Sequence, residues 1–388
     1  MHSPRLIRIA APLIIGALAL SACSSSSSGS KKTSGKKSYT IAYQGPLSGD
    51  SAQLGINMDN GVKLAVEQAN AKGDLPFTLK FTDSDDVGDP AQSPAAARKL
   101  IDNTSVIGVV GPAFSGATAA AEPLFSQAKL VSVSPSASRA DLTTLGFTSF
   151  VRVVTGDTIQ GAKLGDFVAK SLKSKSAYVV DDKSAYGAGL TKFVKQQLTT
   201  DGVSFKTEGL APTKDYSALA TKIVGSKADT VVYGGYFPEY ALVAKALKAA
   251  GFSGKLISGD GSKDDQLIKQ AGAAAEGAYL TCSCGPAAAN PAAQKFATDY
   301  KAKYSTEPGT YSAEGYDSAN IIIAGMKAAG TITRESVTAA VLKTANYPGV
   351  SHTVTFSPTG EGGQGDIFAY QVKAGKIELL GNIATLAK

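Results

Sequence analysis

The chain has 388 residues, with 39 lysines and arginines, 32 acids, two histidines, three cysteines and no tryptophan. Its 43% hydrophobic content suffices for packed cores and excludes intrinsic disorder. Setting aside Arg5, Arg8, Lys31, Lys32, Lys36 and Lys37 leaves 33 basic residues against the 32 acids, so the net charge of +7 belongs almost wholly to the N-terminal tail and implies no nucleic-acid surface.

Residues 1–22 have the pattern of a secretory signal. Arg5 and Arg8 form a basic region, Ile9–Leu20 an apolar run too short to span a bilayer, and Leu20-Ser21-Ala22 a small-residue approach to Cys23. The sequence "LSAC" resembles the lipobox of bacterial lipoproteins, which implies lipid on Cys23 and anchoring at the outer face of the cell membrane. Residues 24–37 carry no apolar side chain and no periodicity, so 23–37 is expected to be a flexible tether.

Roughly 350 residues follow, beyond the size at which one core usually divides, so two domains are expected. Strand-like runs at 39–45, 77–83, 106–112 and 129–136 alternate with helix-like stretches. One of these, "NGVKLAVEQANAKG", closes on Gly73 as a helix stop. Another, "DPAQSPAAARKLI", offers Asp89 as N-cap and Pro90 at the first helical position. A second alternating series runs from about residue 157, with strands at 177–182, 203–209, 230–236 and 255–261, and ends near 278–284. Both series predict a parallel sheet covered by helices on both faces. Helix-like segments at 290–304, 312–330 and 333–344 lack intervening strands and suit cover for the first domain. The tail "DIFAYQVKAGKIELLG" reads as a β-hairpin.

Ligands of open α/β sheets bind outside the carboxyl ends of the strands. The loops at those ends here are "GPAFSGAT", "SPSAS", "YGGYFPE" and "SGDGSKDD". The first opens a helix at Ser115 and Gly116 with free backbone amides, which suits a carboxylate or phosphate; Ser115 also reads as a plain N-cap. Tyr236 and Phe237 cannot both face the cleft from an extended chain, and Tyr236 is the one expected to do so. Gly234 and Gly235 are expected to let the backbone approach the cleft. Catalysis finds little support. A Ser-His-Asp arrangement would need His352, no G-x-S-x-G surrounds Ser115, no phosphate-binding G-x-x-x-x-G-K-[ST] loop exists, and the pairs Asp85-Asp86 and Asp181-Asp182 point apart if extended. With His352 as the one histidine beyond residue 2, a zinc site is not expected, and no cofactor is implied. Cys282 and Cys284 flank Ser283 and read either as a disulfide or as two thiols.

Eight motifs in order, "GPLSGDSAQLG", "DNGVKLAVEQANAKG", "GPAFSGAT", "SPSAS", "AYGAG", "DYSALATKI", "YGGYFPE" and "AAEGAYLT", resemble the extracytoplasmic solute-binding proteins of branched-chain amino acid ABC transporters from about Ser38 almost to the end. The resemblance implies the type I periplasmic-binding-protein fold: two Rossmann-like α/β domains joined by three crossovers around a ligand cleft. Mapped here, the crossovers fall near 155–157, 282–285 and 354–357, giving one lobe of 38–155 with 285–354 and another of 156–284 with 355–388. It implies capture of an amino acid, branched-chain first, for delivery to the permease subunits of an ABC importer. A sensing subunit for a membrane receptor, or another small amino acid, amide or carboxylate as ligand, are the alternatives. By the same resemblance Ser115 and the Gly116 amide meet the ligand carboxylate. Ser136, Ala137 and Ser138 supply a carbonyl for the ammonium and a hydroxyl for the carboxylate. Asp260 faces the ammonium, and Tyr186, Tyr236, Phe237 and Tyr311 contact the ligand. Leu54 stands where the family often has an aromatic residue, which leaves the side-chain preference open.

Overall fold

The computed structural model describes residues 36–285, 291–363 and 365–386. The signal-like segment, Cys23 and the tether as far as residue 35 lie outside the described residues. Fourteen strands are described: β1 (Ser38–Gly45), β2 (Thr78–Asp85), β3 (Val106–Val110), β4 (Val131–Ser134), β5 (Phe150–Arg152), β6 (Ser176–Asp181), β7 (Ser204–Gly209), β8 (Thr230–Gly234), β9 (Lys255–Ser258), β10 (Tyr279–Cys282), β11 (Tyr347–Pro348), β12 (Thr353–Val354), β13 (Phe368–Lys373) and β14 (Lys376–Asn382). The helices are α1 (Ala52–Lys72), α2 (Ser93–Asp102), α3 (Ser115–Gln127), α4 (Asp157–Asp166), α5 (Ala185–Thr200), α6 (Ser217–Ser226), α7 (Phe237–Ala249), α8 (Asp265–Ala271), α9 (Pro291–Tyr304), α10 (Ser312–Ala328), α11 (Arg334–Val341) and α12 (Ile383–Leu386).

Two sheets result. The first has the order β2-β1-β3-β4-β5, all parallel. The second repeats that order as β7-β6-β8-β9-β10 and adds β13 and β14, antiparallel, beyond β10. The central strands read as continuous apolar runs because both faces are covered; every residue of β3 (VIGVV) is buried. The β13–β14 hairpin turns on Ala374 and Gly375, both with positive φ, as a two-residue turn matching strand twist requires. Helices α9, α10 and α11 pack on the first sheet's side, α9 and α10 against α1 and α11 against β3 and β4.

Local rules place most boundaries. α1 ends at Gly73, which is left-handed (φ 70°) and donates its N–H to the Asn70 carbonyl at 3.1 Å. It begins at Ala52, ahead of the periodic stretch, and so carries Leu54 and Met58 on its first turns. α2 starts at Ser93 rather than at Pro90. A helix running from Pro90 would put Pro94 at its fifth position, where it breaks a hydrogen bond and clashes with the preceding turn; starting at Ser93 puts Pro94 in the first turn, where no bond is lost. Asp89 instead caps the preceding turn, accepting from the Ala91 amide at 2.9 Å.

The chain passes from the first sheet to the second between Arg152 and Asp157, and back between Cys282 and Pro291. The third passage falls later than 354–357. Gly360 (φ 93°) closes a turn onto Ser357, and its carbonyl accepts from the Arg152 amide at 3.0 Å, so the chain still runs beside β5 at Glu361. The crossing therefore lies between Glu361 and Phe368.

Candidate functional site

Both sheets point the carboxyl ends of their strands at a shared cleft, and the side chains that line it come from the loops at those ends. The first sheet sends Leu54 and Met58 on α1, then Ala113, Phe114 and Ser115 after β3, and Ser136 after β4. The second sends Tyr186 after β6, Tyr236 after β8, and Asp260 with Gly261 after β9; Tyr311, before α10, completes the wall. In each sheet the contributing strands flank the point where strand order reverses, the usual place for a ligand in such folds. The space between these side chains measures about 20 Å³. That admits about one water, so anything larger enters only if the two rims part.

Asp260 is the polar centre of the second rim. It opens a short 3-10 turn (Asp260–Ser262) and is 2% exposed. Its two oxygens each accept from a tyrosine, Tyr186 and Tyr311, and the Tyr186 hydroxyl in turn accepts from the Gly261 amide at 3.1 Å. Burial pushes the Asp260 carboxyl up, against the lowering effect of those two hydrogen bonds. The same burial, reinforced by the Asp260 charge, holds both phenols protonated as donors.

Tyr236 is the extended N-cap of α7, and its ring stacks on Phe114 across the cleft with centroids 4.2 Å apart. Phe237, the first residue of α7, turns the other way and is buried in the core, so it is not part of the cavity wall. Gly234 and Gly235 do not serve an approach to the cleft. Gly234 admits α5, where a Cβ would stand 2.7 Å from the Gly187 carbonyl, and Gly235 admits the loop after β6, where one would stand 2.7 Å from Asp182 Oδ2.

The first rim is built of backbone and hydroxyls. Amides at 115–117 precede the first intrahelical bond of α3, from the Thr118 N–H to the Phe114 carbonyl. Ser115 Oγ accepts from the Arg139 amide at 3.2 Å, and Ser136 Oγ donates to the Ala113 carbonyl at 2.6 Å. Two residues expected to touch ligand, Ala137 and Ser138, stand behind this wall. Gly116 carries one of the amides at the start of α3, with Pro90 and Ala185 beside its α-carbon. Ala137 packs with Leu142 and Phe150, and its carbonyl accepts from Arg152 Nη1 at 3.1 Å. Ser138 is fully buried, and its carbonyl accepts from the Asp157 amide at 2.8 Å. The loop is held from beneath by Arg152, itself buried, which donates to the Ala137 and Arg139 carbonyls and forks onto Glu361.

Sequence reasoning missed Met58, Ala113 and Phe114 of the cavity wall, and Asp157, the first residue of α4, which stands behind that wall. Asp157 is 0% exposed. Burial, with repulsion from Asp260, pushes its carboxyl up to about 7 against the lowering effect of the Ser138 hydroxyl, Arg152 and Arg139. Its signal was slight: an acid at a predicted helix start beside a crossover, a pattern that exposed first-turn acids share. Among the described residues no group of three or more His, Cys, Asp or Glu is placed to hold a metal.

A two-lobed α/β fold with facing strand ends, hydroxyls and helix amides on one rim and a buried carboxylate on the other, defines a solute-binding protein. The chain belongs to the periplasmic binding protein family, whose profile matches residues 38–376. It is 31% identical over 342 residues to the Leu/Ile/Val-binding protein BraC3 of Rhizobium johnstonii, covering 87% of this chain and 92% of that one. The leucine-binding protein LivK of Thermotoga maritima superposes with a TM-score of 0.83 at 28% identity, over 89% of this chain and 98% of that one. The branched-chain amino acid transporter substrate-binding protein LivJ of Streptococcus pneumoniae, solved with isoleucine, gives 0.81 at 26% identity, over 89% of this chain and 100% of that one.

Proposed function

We propose that this chain captures an amino acid, branched-chain first, in the cleft and delivers it to the permease subunits of an ABC importer. One observation carries the reading: the amides at the start of α3 and the buried Asp260 carboxylate stand on opposite rims of an apolar-walled gap. That is a complement to a zwitterion. The α3 amides and Ser115 receive the carboxylate, as helix N-termini receive anions. Asp260 receives the ammonium. Leu54, Met58 and Tyr236 pack on the side chain, with Tyr186 and Tyr311 holding Asp260 and bounding the site. The ligands named for BraC3 and LivJ support a branched aliphatic side chain, and the absence of an aromatic at Leu54 leaves room for one.

The lobes are proposed as 38–155 with 285–361, and 156–284 with the segment from about 362 to 388, later at the third crossing than 354–357 because Gly360 and Glu361 lie beside β5. Outside the described residues, the signal pattern and "LSAC" support export and a lipid anchor on Cys23. Calorimetric titration of ligand-stripped protein with a panel of L-amino acids tests the central reading. Leucine, isoleucine or valine should bind, and small-angle scattering should then show a smaller radius of gyration. Heat from none of the panel would remove the amino-acid assignment.

A further inference from the structure

Three cysteines occur in the chain, and two of them, Cys282 and Cys284, are joined at the second passage between the sheets. Cys282 is the last residue of β10, paired with Phe368 of β13. The Cα atoms of the bonded pair are 5.1 Å apart. Residues 283 and 284 form a bend where the chain leaves the sheet, and the disulfide closes that bend into a ring. Both cysteines are buried, the Cys284 amide donates to Cys282 Sγ at 3.1 Å, and the Tyr370 hydroxyl donates to the Cys284 carbonyl at 2.9 Å. The residue between the two cysteines, Ser283, stands outside the cleft wall and meets it only through Tyr311.

Ser283 Oγ lies 3.4 Å from the Tyr311 hydroxyl. That hydroxyl gives its proton to Asp260, so Ser283 is the donor to it. Tyr311 is itself an unusual residue: its φ of 64° places a bulky side chain in the left-handed region, a conformation that persists only where neighbours enforce it. Its carbonyl accepts from the Gly315 amide at 2.9 Å, and the adjacent Thr310 hydroxyl donates to the Lys263 carbonyl. The contact from Ser283 is what ties this strained residue to the crossover.

We propose that the Cys282–Cys284 disulfide is a positioning element of the ligand site: it presents Ser283 to Tyr311, Tyr311 thereby holds Asp260, and breaking the disulfide loosens ligand binding. The step is a two-electron exchange. A dithiol reductant supplies two electrons and two protons, the S–S bond breaks to two thiols, and the reductant becomes a disulfide. The freed segment can then open its bend, which shifts Ser283 relative to Tyr311 because the two are no longer set by a closed ring.

The inference rests on the cleft being the amino-acid site, so its test has a second readout that needs no ligand. L-Leucine is titrated into the oxidised protein, the dithiothreitol-reduced protein with two thiols verified by mass, and the Cys282→Ala/Cys284→Ala variant, which avoids the burial of the bond. Reduction and the double variant should each weaken binding 5- to 20-fold. Ser283→Ala alone should weaken it comparably, with little further loss on adding Cys282→Ala/Cys284→Ala. Equal affinity in oxidised and reduced protein, or fully additive losses in the triple variant, would overturn the proposal. In parallel, hydrogen exchange without ligand should quicken several-fold on reduction at Gly261 and Gly315, while β3 stays protected. If oxidised protein takes up no leucine, the amino-acid reading falls, and the exchange arm alone decides: unchanged protection at Gly261 and Gly315 sinks the positioning role.

Discussion

The two rims of the cleft come from sheets of the same strand order, yet they hold their polar groups in opposite ways. The first rim is preorganised by its own lobe: Arg152 pins the Ala137 and Arg139 carbonyls, and Ser115 and Ser136 are bonded to loops beside them. The second rim is completed from across the cleft. Asp260 needs Tyr311, which stands before a helix packed on the first sheet's side, and Tyr236 stacks on Phe114 of the opposite loop. Asn57 of α1 likewise donates to Asp264 at 3.0 Å. A rim finished only by its partner senses whether the cleft is shut; a rim finished within its own lobe does not. Ligand is therefore expected to meet the first rim before the second, with closure assembling the carboxylate side.

The comparison breaks most directly at Asp260. Asp260→Asn keeps the shape but removes the charge that faces an ammonium, and should cost roughly 2–4 kcal/mol of leucine affinity, on the order of 30- to 1,000-fold. Melting of the ligand-free protein should change little. Unchanged affinity in calorimetry would show that no amine lies there.

On the other rim the analogous substitution should act on stability. Arg152→Met strips the Ala137 and Arg139 carbonyls of their donor and leaves Glu361 without its cation, with the Thr143 hydroxyl still donating to it, at about 2–3 kcal/mol by denaturant unfolding. An unfolding midpoint equal to that of the parent would refute the claim that this rim is held from within its lobe.

Acidity separates binding from folding. Asp157 stands behind the cavity wall but within electrostatic reach of Asp260, and its carboxyl is pushed up to about 7; its protonation as pH falls from 7.5 to 6 removes a negative charge from beside the ammonium site, and leucine affinity should drop severalfold. Folding should respond in the opposite sense. A carboxyl whose folded pKa is raised keeps a proton that the unfolded chain has already lost, so the fold gains stability as pH falls from about 8 toward 4. Asp157 acts this way together with Glu122 and Glu314, both pushed up to about 8 by burial. Thermal melts and titrations across that range should therefore slope in opposite directions; parallel slopes would show that the Asp157 charge does not act on binding.

The smallest effect is expected from the aromatic contact between the rims. Tyr236→Ala removes mainly apolar surface and the stack on Phe114, which should weaken binding by about 1–2 kcal/mol. The loss should appear chiefly as faster dissociation in stopped-flow exchange. A loss equal to that of Asp260→Asn would mean that the aromatic side, not the charge, dominates recognition.

Much of this was legible beforehand because it follows from neighbours in the chain. Apolar runs and helical periodicity in two alternating series, Gly73 at a helix end, and the tail hairpin are local signals, and they placed Ser115, Ser136, Tyr186, Tyr236, Asp260 and Tyr311 at strand or helix ends. Leu54 was singled out by resemblance, with Met58 unnoticed one turn along the same helix. β5 escaped notice because three residues are too few to show a period. The start of α2 was misplaced because two prolines, four residues apart, each offered a helix beginning, and the choice turns on which hydrogen bonds survive.

Sequence by itself therefore determined the class of fold, the ends of the strands where a ligand sits, and the chemical types offered there, since each depends on short-range pattern. Tertiary structure alone decided which of those groups meet. Asp157 becomes a buried carboxylate only when α4 packs beside Ser138 and Gly189. Asp260 gains Tyr311 from 51 residues away and Tyr186 from 74, and Cys282 and Cys284 bond where the chain bends on leaving β10. Burial and pairing are properties of surfaces brought together across the fold, and no window of sequence contains both sides of such a surface.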